Sequence, residues 1–345
     1  MINEIHFIKQ VEINGLWNNT DILWNLNPDV NILAGGNGSG KTTLLDSICS
    51  LMTIGTLYDE RRGILEKVII FFDNQKHINF EHLKVKDILK NIERKAQRES
   101  KYKEVISKIK AEEGENYKRI KSVSVEIGIT SFDDLGITLE EFHQQLTIEV
   151  ISTFDNSLNS SEDIKKLSDD RVRTELDRQI YLLQKQYLDY QLNLSKRKDR
   201  VVENTDNPKE ELAKLKYPHE RFLAMIDELF AETHKKVNRS KNEISFLLND
   251  KKEIQTHQLS SGEKQLLLIL LTTLVQDQKP SIFFMDEPEI SLHIDWQRKL
   301  IGFIRELNPN AQLIIATHSP DIIMEGWLDR VFEINDIIKP KTLSK

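Results

Sequence analysis

A chain of 345 residues, 39% hydrophobic and 30% charged, has the length of two or three average domains and the composition of a soluble protein rich in helical surface. Its formal net charge of -7 argues against a surface basic enough to coat nucleic acid throughout, and its single cysteine excludes an internal disulfide. No apolar run reaches the roughly 18 to 20 residues of a membrane helix. The start Met1-Ile2-Asn3-Glu4-Ile5-His6 lacks a basic segment followed by an apolar one, so a cytoplasmic location and no membrane partner are expected.

The first strands are predicted at the apolar-rich Ile5-His6-Phe7-Ile8 and the alternating Val11-Glu12-Ile13. Val30-Asn31-Ile32-Leu33-Ala34 reads as a short buried strand. Directly after it, Gly35-Gly36-Asn37-Gly38-Ser39-Gly40-Lys41-Thr42 fits the phosphate-loop pattern G-x-x-x-x-G-K-[ST] at every fixed position. The glycines let backbone N–H groups close around phosphate oxygens where a Cβ would obstruct them. Thr42-Thr43-Leu44-Leu45-Asp46-Ser47-Ile48 opens an amphipathic helix, so the loop lies between strand and helix, as phosphate binding at a helix start requires. Cys49, on that helix among Ile48, Leu51 and Met52, reads as a buried structural thiol. Val68-Ile69-Ile70-Phe71-Phe72 is a further β-rich run.

From 83 to 255 the texture changes to long polar and charged stretches poor in Gly and Pro. Lys84 to Lys121 holds 13 Lys/Arg against 7 Asp/Glu on a mainly helical pattern, which fits a solvated helix face or a surface for nucleic acid or a partner. Ser122-Val123-Ser124-Val125-Glu126-Ile127 alternates as a strand does. Ile180, Leu183, Tyr187, Tyr190 and Leu194 repeat at helical spacing within Arg178 to Glu203, enough for a short helical hairpin, and Phe222, Met225, Ile226, Leu229 and Phe230 mark a second helix.

The last stretch returns to strands alternating with helices. Leu259-Ser260-Ser261-Gly262-Glu263-Lys264-Gln265 begins a long apolar helix, Leu266 to Val275, whose exposed N–H groups and serine hydroxyls suit an anion. Ile282-Phe283-Phe284-Met285-Asp286-Glu287-Pro288 puts two acids at the end of an apolar strand, where a cation or a proton-handling role offsets the cost of burial. Ser291-Leu292-His293 follows, then a helix over Ile294 to Leu307 and a strand over Gln312 to Ala316, which Thr317-His318-Ser319-Pro320 ends. The two ends of the chain are expected to share one sheet.

Phosphate loop, serine-glycine helix start, acidic strand, following loop and terminal histidine, in that order, resemble the ABC-type ATPases. The text Asp286-Glu287-Pro288-Glu289-Ile290-Ser291-Leu292-His293, with Trp296-Gln297 and Ala316-Thr317-His318-Ser319-Pro320, resembles the RecF/SMC-related branch that includes the overcoming-lysogenization-defect and Septu-like phage-defence ATPases. The resemblance implies an α/β fold: a P-loop NTPase head of ABC type, a mixed sheet with flanking helices, formed by 1–82 and 256–345 and interrupted by a large mainly helical insertion at 83–255. It implies ATP and Mg²⁺ as cofactors. Gly35, Gly36, Asn37, Gly38, Ser39, Gly40, Lys41, Thr42 and Thr43 would hold the nucleotide, Lys41 bridging its β- and γ-phosphates. Thr42 and Asp286 would hold the metal, Glu287 would polarise the attacking water and His318 would sense the γ-phosphate. Ser260, Ser261, Gly262 and Glu263 form the signature, with Ser260 and Gly262 reaching the nucleotide of a second subunit, and Ser291, Leu292 and His293 form the D-loop. Ser261 and Glu263 depart from transporters, which carry Gly and Gln there. Gln75 is the candidate for the family's Q-loop glutamine, and Trp17 and Trp24 are candidates for adenine stacking.

The resemblance implies a homodimer or higher homo-oligomer that hydrolyses ATP as a switch, with the insertion carrying the change to DNA or an effector. The stretch from His318 to Lys345 is too short for a Toprim nuclease domain, so cleavage would belong to a separate nuclease or effector protein. The expected setting is the sensor or regulator subunit of a bacterial anti-phage defence system. A RecF-like DNA-repair ATPase is the alternative, and the nucleotide-binding subunit of a transporter is third, since Lys41 and Ser260 stand far apart and His293 replaces the usual D-loop aspartate.

Overall fold

The computed structural model describes residues 4–16, 20–55, 65–84, 107, 126–151, 172–205 and 207–340. Its chain divides into two compact units, one of Met1–Leu26, Asp46–Gln145 and Asn335–Lys345, the other of Asn27–Leu45 and Leu146–Ile334. The expected insertion is therefore parted between the two units. Trp17 and the basic stretch after Lys84, apart from Ser107, lie outside the described residues.

The first unit holds an antiparallel sheet in the order β14-β2-β1-β4-β5-β6: β1 (Ile8–Leu16), β2 (Thr20–Asn25), β4 (Lys67–Phe72), β5 (His77–Lys84), β6 (Glu126–Ser131) and β14 (Ile338–Pro340). Val68, Ile70 and Phe72 of β4 alternate inward, the period of a sheet with one covered face. Phe142 of helix α2 (Leu139–Gln145) packs its ring 5.5 Å from Phe72. Trp24 is wholly buried in β2, so its ring offers no open face to an adenine, and Gln75 sits in the β4–β5 turn with φ 68.

The second unit is built on a parallel sheet in the order β13-β3-β12-β11-β7: β3 (Val30–Ala34), β7 (Thr147–Ile151), β11 (Ser281–Asp286), β12 (Ala311–Ala316) and β13 (Val331–Glu333). Every residue of β12 is buried, because helices cover both faces of a parallel sheet and strands in it become continuous apolar runs. The expectation of one sheet shared by the chain ends is thus corrected. The N- and C-terminal stretches share two sheets rather than one: β3 joins the C-terminal strands of the parallel sheet, and C-terminal β14 pairs with β2 at the edge of a separate antiparallel sheet.

Helices α3 (Glu175–Asn204) and α4 (Pro208–Leu229) form the helical hairpin. Ile180, Leu183, Tyr187, Tyr190 and Leu194 bury the seam read in the sequence, and the Tyr187 hydroxyl meets His219 Nε2 at 2.8 Å. Each such side chain contributes about 1.5–3 kcal/mol through burial. Thr174 caps α3 reciprocally with Asp177. A small antiparallel sheet, β8 (Lys235–Val237), β9 (Ser245–Leu248) and β10 (Lys252–Gln255), precedes helix α5 (Ser261–Val275), which is buried almost all round. Helix α6 (Ile294–Leu307) and the short α7 (Pro320–Met324) complete the unit. Among the described residues no helix is long and apolar enough to cross a membrane.

Candidate active site at the ends of the parallel strands

Parallel strands deliver their C-terminal ends to one edge, and three of them here carry the sequence-predicted chemistry. In register, Leu33 of β3 stands beside Ala316 of β12, which stands beside Asp286 of β11. The loop after β3, the acids after β11 and the histidine after β12 therefore emerge together.

The phosphate loop runs from Gly35 to Gly40 into helix α1 (Lys41–Thr53). Gly38 and Gly40 adopt φ of 74 and 97, which side chains rarely tolerate. A Cβ added at Gly36 or Gly38 would meet nothing within 4 Å, so the rim of the loop is open to an approaching phosphate. Asn37 is exposed, while Ser39 and Thr43 are half-buried. Lys41 is only 4% exposed, its Nζ donating to the carbonyl oxygens of Gly35 (2.9 Å) and Gly36 (3.2 Å). Thr42 is exposed on the first turn of α1.

His318 links the loop to the acidic strand. Its Nε2 lies 2.8 Å from Lys41 Nζ and 3.0 Å from Glu287 Oε1. One nitrogen cannot serve both with the same proton. With the proton on Nδ1 it accepts from Lys41, and with a proton on Nε2 it donates to Glu287. Glu287 is held in the left-handed region at φ 51, its N–H donating to the Ala316 carbonyl at 2.8 Å, a strained backbone of the kind that accompanies function. Burial, and then the charge of Glu289, raise its pKa above the usual carboxylate value, against the opposing pull of His318. A carboxylate of raised proton affinity beside an imidazole and an ammonium is suited to drawing a proton from water.

Asp286 at the end of β11 and the exposed Thr42 offer the hard oxygen donors that would hold a Mg²⁺. A Mg²⁺ held by one or two protein oxygens takes phosphate oxygens for the rest.

The signature opens α5, with Ser260 as N-cap. Ser260 and Ser261 are exposed, whereas Gly262 packs so closely on the D-loop that a Cβ there would run into the backbone oxygen of Ser291. Glu263 is 1% exposed and committed within its own chain. Its Oε2 accepts from the N–H and hydroxyl of Ser260 (2.9 and 3.0 Å), its Oε1 from Lys235 Nζ (2.6 Å) and Thr233 Oγ1 (2.8 Å). Burial works against its ionisation, but these bonds outweigh it and hold its pKa below the usual value. The departure from glutamine at this position thus has a local reason: a cation on β8 faces it. No pattern in the sequence marks that pairing or β8.

In the D-loop, Ser291 takes φ 69, Leu292 is buried and His293 caps α6 with an exposed ring. Gln297, to which the family resemblance assigns no role, ties this loop to the histidine loop. Its Nε2 donates to the Leu292 carbonyl at 2.9 Å and its Oε1 accepts from Ser319 Oγ at 2.7 Å.

Comparison with known proteins gives similarities of three kinds. A solved structure described as "Crystal structure of the SmcHead bound to the C-winged helix domain of ScpA" is 14% identical, with 98% of each chain covered and a TM-score of 0.48. One described as "Structure of the recombination mediator protein RecF-ATPrS in RecFOR pathway" is 11% identical, covering 92% of this chain and 94% of that one, with a TM-score of 0.43. The "Putative hemin import ATP-binding protein HrtA" of Staphylococcus aureus (strain Newman) is 34% identical over 89 residues, 26% of this chain. The chain spans 39% of the length of that relative. A family model matches residues 30–325, and the chain belongs to that family, AAA_21, described as "AAA domain, putative AbiEii toxin, Type IV TA system".

Proposed function

We propose that this chain binds and hydrolyses ATP with Mg²⁺ and works as a switch between nucleotide states. The observation that carries the proposal is the line Lys41–His318–Glu287, three side chains from three strand ends joined by contacts of 2.8 and 3.0 Å beside an open phosphate loop. Lys41 and the loop N–H groups would neutralise the transferred phosphate, Thr42 and Asp286 would hold Mg²⁺, and Glu287 would take the proton of the attacking water. The bound metal would supply charge neutralisation on the phosphate oxygens.

The active unit is a homodimer in which Ser260 and Ser261, exposed at the start of α5, face the nucleotide of the second subunit. Lys41→Ala is expected to lose ATP binding, because it removes a direct phosphate partner, and Ser260→Arg to block the partner's site. Each variant alone should be nearly inactive, and their mixture should regain about one site per heterodimer. Equilibrium binding of a fluorescent ATP analogue and phosphate release are the measurements. Equal affinity of wild type and Lys41→Ala would sink the nucleotide assignment, and no recovery after verified subunit exchange would sink the paired sites.

The biological setting we infer is the regulator of an anti-phage defence system acting with a separate nuclease, in a cytoplasmic complex that contacts DNA or an acidic partner. The family description, which names a toxin of a toxin–antitoxin system, fits such a setting. Removing the gene with its neighbours from its host is expected to raise phage plating by at least tenfold, and unchanged plating would favour the DNA-repair alternative. The similarity to an ATP-binding protein of hemin import spans 26% of this chain and supports the ATP site alone.

A further inference from the structure

Glu289 stands two positions after Glu287, and no step above uses its carboxylate as a ligand or a base. Its Oε1 accepts from Thr317 Oγ1 at 2.5 Å and from the backbone N–H groups of His318 and Ser319, each at 3.1 Å. Three donors from three consecutive residues thus converge on one oxygen. Thr317 is 1% exposed, and the Oε2 of Glu289 is itself buried with no hydrogen-bond partner among the described residues. Donors crowded on one point need a shared acceptor to hold them together, and the Glu289 side-chain oxygen supplies it. From the far side, Gln297 holds the Ser319 hydroxyl at 2.7 Å.

We propose that Glu289 is a positioning residue for hydrolysis: it clamps the backbone of Thr317, His318 and Ser319 so that the His318 ring stands between Lys41 and Glu287. Its effect passes through His318, whose backbone N–H it holds where β12 ends, while the ring itself meets Lys41 and Glu287. A displacement of about 1 Å at such a position can cost a hundredfold in rate while substrate affinity stays. A side chain that merely braced the fold would lower stability and leave the turnover of folded protein alone.

The inference rests on the ATPase reading, so its test includes a readout that needs no turnover. Glu289→Ala removes the clamp, whereas Glu289→Gln keeps an amide oxygen for the same donors. In Glu289→Ala, kcat is expected to fall about ten- to a hundredfold with KM for ATP within about twofold, and Glu289→Gln to recover most of the loss. Without nucleotide, hydrogen exchange in the peptide carrying 317–319 is expected to quicken in Glu289→Ala and stay near wild type in Glu289→Gln. Wild-type kcat in folded Glu289→Ala, or equal losses in both variants with unchanged exchange, would overturn the proposal. If wild type turns over no ATP, the ATPase reading falls by itself. The exchange experiment then decides the clamp, quickened exchange upholding it and unchanged exchange overturning it. If Glu289→Ala does not fold, Thr317→Val removes one of the three donors. A several-fold loss of kcat at constant KM then supports the clamp, and unchanged kcat refutes it.

Discussion

Glu287→Gln is expected to slow ATP hydrolysis about a hundredfold or more, equivalent to about 2.7 kcal/mol of transition-state stabilisation, while leaving ATP affinity near that of wild type. The amide has the size of the carboxylate and keeps an oxygen within reach of His318, but it cannot take a proton. The Lys41 contacts to Gly35 and Gly36 belong to the phosphate loop itself and are untouched by the change. The pH dependence supplies a second reading of the same residue. Burial and the neighbouring Glu289 raise the pKa of Glu287, and the base works only when ionised. The wild-type rate therefore climbs with pH through that raised pKa, and the climb disappears in the variant. Phosphate release measured over a pH series, beside equilibrium binding of a fluorescent ATP analogue, separates the two effects. Turnover equal to wild type would remove Glu287 from the mechanism, and lost binding would mean that the substitution disturbed the phosphate loop.

The elements most legible in the sequence were those whose environment is uniform. Strands β3 and β11 and helix α6 lie where the residue pattern places them, because a strand buried on both faces reads as a mostly apolar run and an amphipathic helix repeats at its own period. The seam of α3 was legible for the same reason. Strands β8, β9 and β10 were not, since runs of three or four residues with Lys235, Lys236, Lys252 and Glu253 among them carry no periodic signal. The expected strand at 122–127 overlaps only the start of β6 at Glu126–Ser131, the residues before it lying outside those described. Strand β7 pairs with β11 across more than a hundred positions, and its half-exposed pattern resembles any polar stretch.

The site divides along a similar line. Residues proposed to act through a fixed local pattern, the phosphate loop and the acidic pair, are readable because that chemistry demands neighbours in sequence. Residues that act through tertiary contact are not. Lys235 reaches Glu263 from 28 positions away, and Gln297 bonds Ser319 from 22 positions away. Such pairings are set by the packing of α5 and α6 and appear only with the fold.

Lys264→Met is expected to destabilise the second unit by about 3 kcal/mol, read as a fall of roughly 6–12 °C in its melting midpoint. Lys264 Nζ lies 2.8 Å from Asp177 Oδ1, with the two side chains 9% and 4% exposed. Methionine fills the volume of the lysine stem, so the loss comes from what remains: a buried carboxylate without its cation. Two backbone donors, the N–H groups of Arg173 and Thr174, each 3.2 Å from Asp177 Oδ2, stay in place but carry no full charge. The size of the effect follows from breaking the pair, since a buried ion pair taken whole is worth far less than its Coulomb energy. Neutralising both ends therefore distinguishes the causes. The double variant Lys264→Met with Asp177→Asn keeps an oxygen for the two N–H groups, has no stranded charge, and is expected to regain about 2 of the 3 kcal/mol. Thermal melts of the two single variants and the double variant complete the cycle. If Lys264→Met melts with wild type, or the double variant falls by the sum of the singles, the stranded-charge account is wrong. Because the pair joins the first turn of α3 to the first turn of α5, the same loss is expected to loosen Ser260, so Lys264→Met well below its melting point should also show a lower rate of ATP hydrolysis than the double variant.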